Sequence, residues 1–453
     1  MQTAGTENST RRMTGKALSV AWPAMMESFF VVLAGMIDTM MVSALGPYAV
    51  SAVGLTVQPK FIGLTLFFGI NVAVSALVAR RKGEQKPEKA NEILVTAAAL
   101  SLALCVVISV LFTAFAPWMM RLSGSNAETH DAAVEYFRII MAGTVFNVVT
   151  MVINAAQRGS GNTRLSMTTN LTSSVVNVIF NYLLIEGHLG FPAWGIRGAA
   201  IATVLGTVVS AGMAVFSLFR PKSYVSIRMI RKQRIRPTRE SLKGIWRIAY
   251  NTSLENIAAR VGFLATAMIA ARLGTDEFAA HNIGMNLLAM GFSFADGMQV
   301  AAVALTGEAL GAGQKENARK YGRICQRIGL GISLILSFLL LIGGKWFYGL
   351  YFQEPHILGM GEVICRYTMV IVLLQISQVI FSGCLRAAGD VRYVLIAATV
   401  SIAIIRTAVT VLLVKVFNMG LDGVWIGILA DQASRFTFVS LRFRQGKWVN
   451  LKI

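Results

Sequence analysis

The 453-residue chain is written twice, at a constant offset of 228 positions. Glu27 recurs as Glu255, Leu45-Gly46 as Leu273-Gly274, and Gly83 as Gly311. Arg158, Gly161 and Arg164 recur as Arg386, Gly389 and Arg392. Both copies are strongly apolar. Two halves with one pattern imply two similar helix bundles with a cleft between them, and in a membrane that is the usual scaffold of a secondary transporter.

Hydrophobic residues make up 55% of the chain and charged residues only 14%, against about a quarter charged in a soluble domain. A spanning helix needs about 20 mostly apolar residues. By that measure the chain contains about twelve spans, read coarsely as 17–42, 51–79, 92–116, 131–157, 166–187, 196–219, 245–272, 278–308, 321–343, 358–384, 393–416 and 424–441. Helices are the default because lipid cannot satisfy free backbone groups, and the alternating segments of a barrel are missing. The expected fold is an all-α integral membrane protein with two pseudo-symmetric six-helix bundles around a central cavity. Six spans return the chain to its starting side, so the repeats are expected to run parallel, related by an axis along the membrane normal. The expected divisions are a tail over 1–16, an N-lobe over 17–219, a basic linker over 220–244, a C-lobe over 245–441 and a second tail over 442–453.

The net charge of +20 could suggest nucleic acid, but its distribution points elsewhere. Lys and Arg collect in alternate loops: Arg11 to Lys16, Arg80 to Lys89, Arg158 to Arg164, Arg220 to Lys243, Lys315 to Arg323, Arg386 to Arg392 and Arg442 to Lys447. The intervening loops are poor in positive charge. This positive-inside pattern places both termini in the cytoplasm, with a lipid bilayer and not nucleic acid as the partner. The polar first sixteen residues and the long first apolar run do not read as a cleaved signal peptide. Cys105, Cys325, Cys365 and Cys384 have no metal or redox spacing and read as small packing residues.

An ionisable side chain in hydrocarbon costs about 2.5–3.5 kcal/mol, so each one asks for a reason. The first span carries Glu27 and Asp38, eleven residues apart and therefore nearly on one helix face. Pro23 lies one turn before Glu27 and is the natural hinge. A carboxylate beside a bendable helix suits a proton or sodium carrier. The alternative is a structural bond to a neighbouring helix. Asn177 and Asn181 share a face of the fifth span and Thr203 stands in the sixth. Their oxygens are hard donors suited to a small cation such as Na⁺, although such residues also serve as helix–helix glue. Glu255 repeats Glu27 and is a second candidate for the coupling cation. Lys60, Asp296, Arg260 and Gln375 are further candidate cavity residues, with His281, Arg138, Arg366 and Arg406 also embedded.

The motifs RGSGNTR over 158–164 and LRAAGDVR over 385–392 close helices with glycine and arginine and read as architecture. No P-loop, HExxH or GxSxG motif has supporting context, so neither ATP hydrolysis nor any other enzymatic activity is expected.

These motifs reach a known family. The first helix ending IDTMMVSALG, LVARRKGEQ after the second, QRGSGNTR after the fourth, GIRGAAIATVLG in the sixth, AAHNIGMN in the eighth and LRAAGD after the tenth together resemble the multidrug and toxic compound extrusion (MATE) transporters over essentially the whole chain. The resemblance implies twelve helices in two lobes, alternating access, and export of amphipathic, often cationic, small organic compounds driven by H⁺ or Na⁺, with no other cofactor. It implies that Asp38 binds the coupling cation in the N-lobe, with Asn177 and Thr203 beside it. Asn181 stands where some members have a second Asp, and Gln375 where some have an Asp in the tenth helix, so neither lobe repeats a two-carboxylate site. Glu255 matches an acid of the seventh helix in some branches. The expected protein is a monomer in the cell membrane. The rival within transport is a lipid-linked oligosaccharide flippase of the same superfamily, whose cavity arginines would be sought among Arg138, Arg197, Arg260 and Arg406.

Overall fold

A computed structural model describes residues 2–221, 223–351 and 353–451. Among them the secondary structure is helical, with no strand. Twelve long helices follow one another: α1 Gln2–Ser43, α2 Pro47–Gly83, α3 Pro87–Ala114, α4 His130–Gly159, α5 Thr163–Ile185, α6 Ile196–Ser217, α7 Arg239–Ala271, α8 Thr275–Gly311, α9 Lys315–Gly349, α10 Pro355–Ala387, α11 Val391–Lys415 and α12 Gly420–Gln445. Ten of them are long and apolar enough to cross a membrane by length and composition alone. The other two, α5 and α12, carry the polar side chains Asn177, Asn181, Asp431 and Arg435 in their middle turns.

The helix ends follow from backbone chemistry. Proline opens α2, α3 and α10, where a missing N–H costs nothing. Gly161 and Gly389 take positive φ values of 85° and 86° and turn the chain between α4 and α5 and between α10 and α11. The repeated RGSG and RAAG motifs are thus the same left-handed turn used twice. Pro23 lies inside α1 and gives the carbonyl one turn earlier no N–H to bind.

The chain forms two compact units. One comprises Met26–Tyr250; the other comprises Met1–Met25 with Asn251–Ile453. The divisions fall inside α1, three residues past Pro23, and inside α7. In the first unit, Gly244 of α7 faces Leu77 of α2. In the second, Ala17, Val20, Ala21 and Met25 of α1 join the core built by α8, α10 and α12, and Gly297 of α8 lies against the Met25 backbone.

The Met26–Tyr250 unit centres on α4, which packs on α2, α3 and α6. Gly159 lets α4 approach the Ser75 backbone, and Ser75 donates 2.8 Å to the Ala155 carbonyl. The basic linker folds onto α3. Buried Asn91 donates to the carbonyls of Pro87 (2.8 Å) and Tyr224 (3.2 Å) and accepts from the Ser226 N–H (2.8 Å). The other unit centres on α10, packed on α8, α9 and α12. Its carboxyl-terminal turn Lys447–Asn450 buries Trp448, whose indole N–H donates 2.9 Å to the Phe443 carbonyl. Large apolar side chains face outward: Leu334, Ile335, Phe338, Leu339 and Ile342 on α9, and Val106, Val107 and Val110 on α3. A row of exposed apolar groups is unfavourable in water and is the surface a helix presents to lipid.

Gly159→Val should push a side chain into the Ser75 carbonyl and destabilise the fold by about 1–3 kcal/mol. Thermal unfolding in detergent reads the loss; an unchanged midpoint would mean that α2 and α4 do not need this close approach.

Candidate functional site

The acids of the spanning segments differ most in what holds them. Glu27, on α1, is almost fully buried. Its Oε1 accepts from Arg158 Nη1 (3.1 Å), the Ser166 hydroxyl (2.8 Å) and the Asn170 amide (2.6 Å). Its repeat mate Glu255 on α7 meets Arg386 at 2.6 Å. The two ion pairs join equivalent residues, so each half ties its first helix to the end of its fourth. Of the two arrangements open to Glu27, bonds to neighbouring helices are present here.

Asp38 is different. It lies nearly three turns beyond Glu27 on α1, half-buried, and its Oδ1 accepts 2.5 Å from the Asn181 amide of α5. The Asn177 amide is also within reach of the carboxylate and donates 3.1 Å to the Thr203 hydroxyl of α6. Thr203 in turn donates to the Ala199 carbonyl. Tyr136 of α4, buried, has its hydroxyl within hydrogen-bond reach of Thr203. Lys60 of α2, directly after Pro59, attracts Asp38 electrostatically. Asp38, Asn177, Asn181, Thr203 and Lys60 therefore form one cluster within the Met26–Tyr250 unit.

The local sequence explains the cluster. The i, i+4 spacing of Asn177 and Asn181 puts both amides on one face of α5. Gly206 lets α6 come against the Ser173 backbone and the Asn177 side chain. Asn181 is fully buried and its Oδ1 has no partner among the described residues. One carboxylate, two amides and one hydroxyl make an all-oxygen donor set for a hard monovalent cation, and the carboxylate alone can take a proton. Among the described residues no group of three or more His, Cys, Asp or Glu side chains forms a metal cluster.

The remaining candidates are scattered. Pro23 is buried at the point where α1 passes from one unit to the other. Gln375 is fully buried in α10 with neither amide atom bonded among the described residues. Asp296 and Arg260 are exposed. Arg138 reaches the Thr113 carbonyl at 3.4 Å, Arg197 pairs with Glu135, and Arg366 pairs with Glu362 at 2.8 Å. Two buried charges were missed by sequence reasoning: Asp431 and Arg435, one turn apart on α12. Opposite charges at i, i+4 inside an apolar segment were the signal that could have found them. Tyr136 carried no such signal.

Comparison with known proteins fits this geometry. Residues 23–183 and 252–412 each match the MatE family. The chain belongs to the MatE family. It is a multi-pass membrane transporter and not an enzyme. The chain is 28% identical to a probable multidrug resistance protein NorM of Thermotoga maritima, over 95% of this chain and 92% of that one. It is 25% identical to an uncharacterized transporter, YisQ, of Bacillus subtilis, over 96% and 95%. Among solved structures it superposes on a MATE transporter in its bent conformation with a TM-score of 0.87, 25% identity and coverage of 97% and 98%. An outward-facing multidrug resistance MATE transporter gives a TM-score of 0.88, 26% identity and coverage of 96% and 97%. The two family segments are of equal length, one per half, as the sequence repeat requires.

Removing Arg158 would leave the buried Glu27 carboxylate without its counter-charge. Arg158→Ala should cost about 3–5 kcal/mol, and Glu27→Gln added to it should recover much of the loss. Equal unfolding midpoints for the single and double variants would show that this ion pair does not hold α1.

Proposed function

We propose that this chain is a cation-coupled antiporter that exports amphipathic, often cationic, organic compounds by alternating access, with Asp38 as the coupling group. The observation that carries the reading is the hold on Asp38: neutral amides rather than an ion pair. A carboxylate in hydrocarbon that is not locked by a guanidinium gains most from a proton or Na⁺ arriving beside it. Asn177, Asn181 and Thr203 supply the oxygens that would complete a Na⁺ shell. The names of the relatives, multidrug resistance proteins among them, favour a broad substrate range, and so does the abundance of Met and Phe, 21 and 25 residues, whose soft side chains repack around varied apolar partners.

The mechanism follows from charge. With the site open to the outside, a cation binds Asp38 and neutralises it. The amides then lose their ionic acceptor, α1 bends at Pro23, where one backbone bond is already missing, and the affinity for substrate falls. Substrate leaves outward. After reorientation the cation leaves to the cytoplasm, where its electrochemical potential is lower. One charge falling through 100 mV supplies about 2.3 kcal/mol. Glu255 enters this scheme as the C-terminal counterpart of the Glu27 tether rather than as a second carrier. The alternating basic loops favour both termini in the cytoplasm of the cell that bears this protein in its plasma membrane. A monomer with an internal repeat is sufficient. A flippase for anionic lipid-linked sugars would need arginines free to meet pyrophosphate. Of the four arginines that reading would use, Arg197 and Arg406 are committed to carboxylates and Arg138 reaches a backbone carbonyl, which favours the exporter.

Asp38→Asn should abolish gradient-driven efflux of cationic dyes from proteoliposomes, measured with an imposed pH gradient and an imposed Na⁺ gradient separately, while the variant keeps its thermal stability. The gradient that drives the wild type names the coupling ion. Undiminished transport by the folded variant would remove Asp38 from the mechanism.

A further inference from the structure

The C-terminal half has its own version of the Asp38 cluster, and its charges are reversed. On α7, Thr266 stands at the repeat position of Asp38, between the matched pairs Glu27/Glu255 and Leu45/Leu273. On α11 the correspondence advances by one residue, because Val400–Arg406 forms a π-helical turn, the one-residue insertion that often marks a functional position. The shift is visible in the packing: Gly198 of α6 lies on the Leu184 backbone, and Gly423 of α12 lies on Leu413. With that register Arg406 replaces Asn177 and Thr410 replaces Asn181. On the sixth helix of each half, Gly195 and Gly420 share φ values of 55° and 54°. Counting from them, Gly206 becomes Asp431. The contacts agree, since Gly206 touches Asn177 while Asp431 meets Arg406.

The result is a fully enclosed cationic centre. Arg406 is 1% exposed, Asp431 0% and Arg435 8%. Arg406 Nε donates 2.9 Å to the Thr266 hydroxyl, and its Nη1 lies 3.6 Å from Asp431 Oδ2. Its guanidinium lies 4.7 Å from the Phe263 ring centroid. Arg435 donates 2.7 and 3.0 Å to the two Asp431 oxygens. Gly262 lets α7 close on Ile402 within the π-helical turn. Among the described residues His281 of α8, buried, also lies within electrostatic reach of Arg406. In the N-terminal half, one carboxylate and the Lys60 ammonium sum to zero until a cation arrives. In the C-terminal half, two guanidiniums and one carboxylate already sum to one positive charge.

We propose that Arg406 is a tethered cation: it occupies the C-terminal counterpart of the coupling position permanently, so the protein exchanges one monovalent cation per turnover rather than two. The inference rests on the reading of Asp38 as the exchanging site, but it is tested on a different residue. The C-terminal half is fixed in the charge state that the N-terminal half reaches only when loaded. Asp431 is a positioning residue for the guanidinium and exchanges nothing.

The experiment is a difference titration of the full chain in lipid nanodiscs. Proton binding is measured from about pH 4 to about pH 10, with and without NaCl, for the wild type, Asp38→Asn and Asp431→Asn. Asp38→Asn should remove one site that protons or Na⁺ fill. Asp431→Asn should remove none. Should Asp431→Asn fail to fold, the pair Asp431→Asn with Arg406→Gln removes one charge of each sign, keeps the centre's single net positive charge on Arg435 and answers the same question. Arg406→Gln alone, where it folds, should gain titratable or Na⁺-sensitive binding. Loss of an exchangeable site in either Asp431 variant overturns the proposal, whatever Asp38 does. A null difference for Asp38→Asn, with Asp431 also silent, overturns the Asp38 assignment and leaves the C-terminal centre closed.

Discussion

The behaviour of this protein turns on how each buried carboxylate is compensated. Lipid offers no solvent for an ion, so a spanning helix can keep an acid only if a partner neutralises or solvates it. Glu27 has a guanidinium, a hydroxyl and an amide; Glu255 has a guanidinium; Asp431 has two. These are closed arrangements, and taking away a partner leaves a stranded charge. Asp38 receives amide hydrogen bonds and a more distant ammonium. It is the acid among these whose best partner can arrive from solution. A carboxylate is therefore held by guanidinium at three positions and by amides at the fourth.

That division explains which helices are polar. α5 and α12 fall short of the apolarity of the other ten because each carries the donors for a charged centre: Asn177 and Asn181 on one, Asp431 and Arg435 on the other. The Asp38 centre uses amides, which hold a carboxylate without neutralising it. The closed centre uses arginines, whose planar fork stays charged and fixes geometry. One duplicated scaffold thus supports two electrostatic designs, and glycines such as Gly206, Gly262 and Gly427 bring the helix backbones near enough for either.

Much of the fold was legible in the sequence because bilayer physics writes it in long strokes. The expected fourth span, 131–157, is the core of His130–Gly159, and the expected fifth, 166–187, overlaps Thr163–Ile185. The expected first span, 17–42, lies within a helix that begins at Gln2, since a helix can continue through polar residues that hydropathy discounts. The grouping of Asp38 with Asn177, Asn181 and Thr203 was legible from spacing and family likeness together. The three-dimensional partners of Glu27 were not, because Arg158 lies 131 positions away and no local periodicity links them. The π-helical turn in α11 was invisible for a related reason. It shifts register by one residue in an unbroken apolar run, so an ungapped repeat aligns Arg406 with Val178 and hides its equivalence to Asn177.

That slip has a wider consequence for duplicated membrane proteins. A repeat offset is constant only while both copies keep the same helical pitch. The pairs Glu27/Glu255 and Arg158/Arg386 hold one offset, yet α11 departs from it by one residue at its π-helical turn, while the shift of α12 arises in the shorter connection before it. The change of pitch falls on a helix that carries a charged centre. A change of pitch turns side chains by about 100° per residue inserted, enough to bring a guanidinium to the place of an amide without moving the helix. Divergence between the halves then needs no new fold: one inserted residue in α11 and a carboxylate in place of Gly206 put a paired guanidinium where the N-terminal half has amides around Asp38.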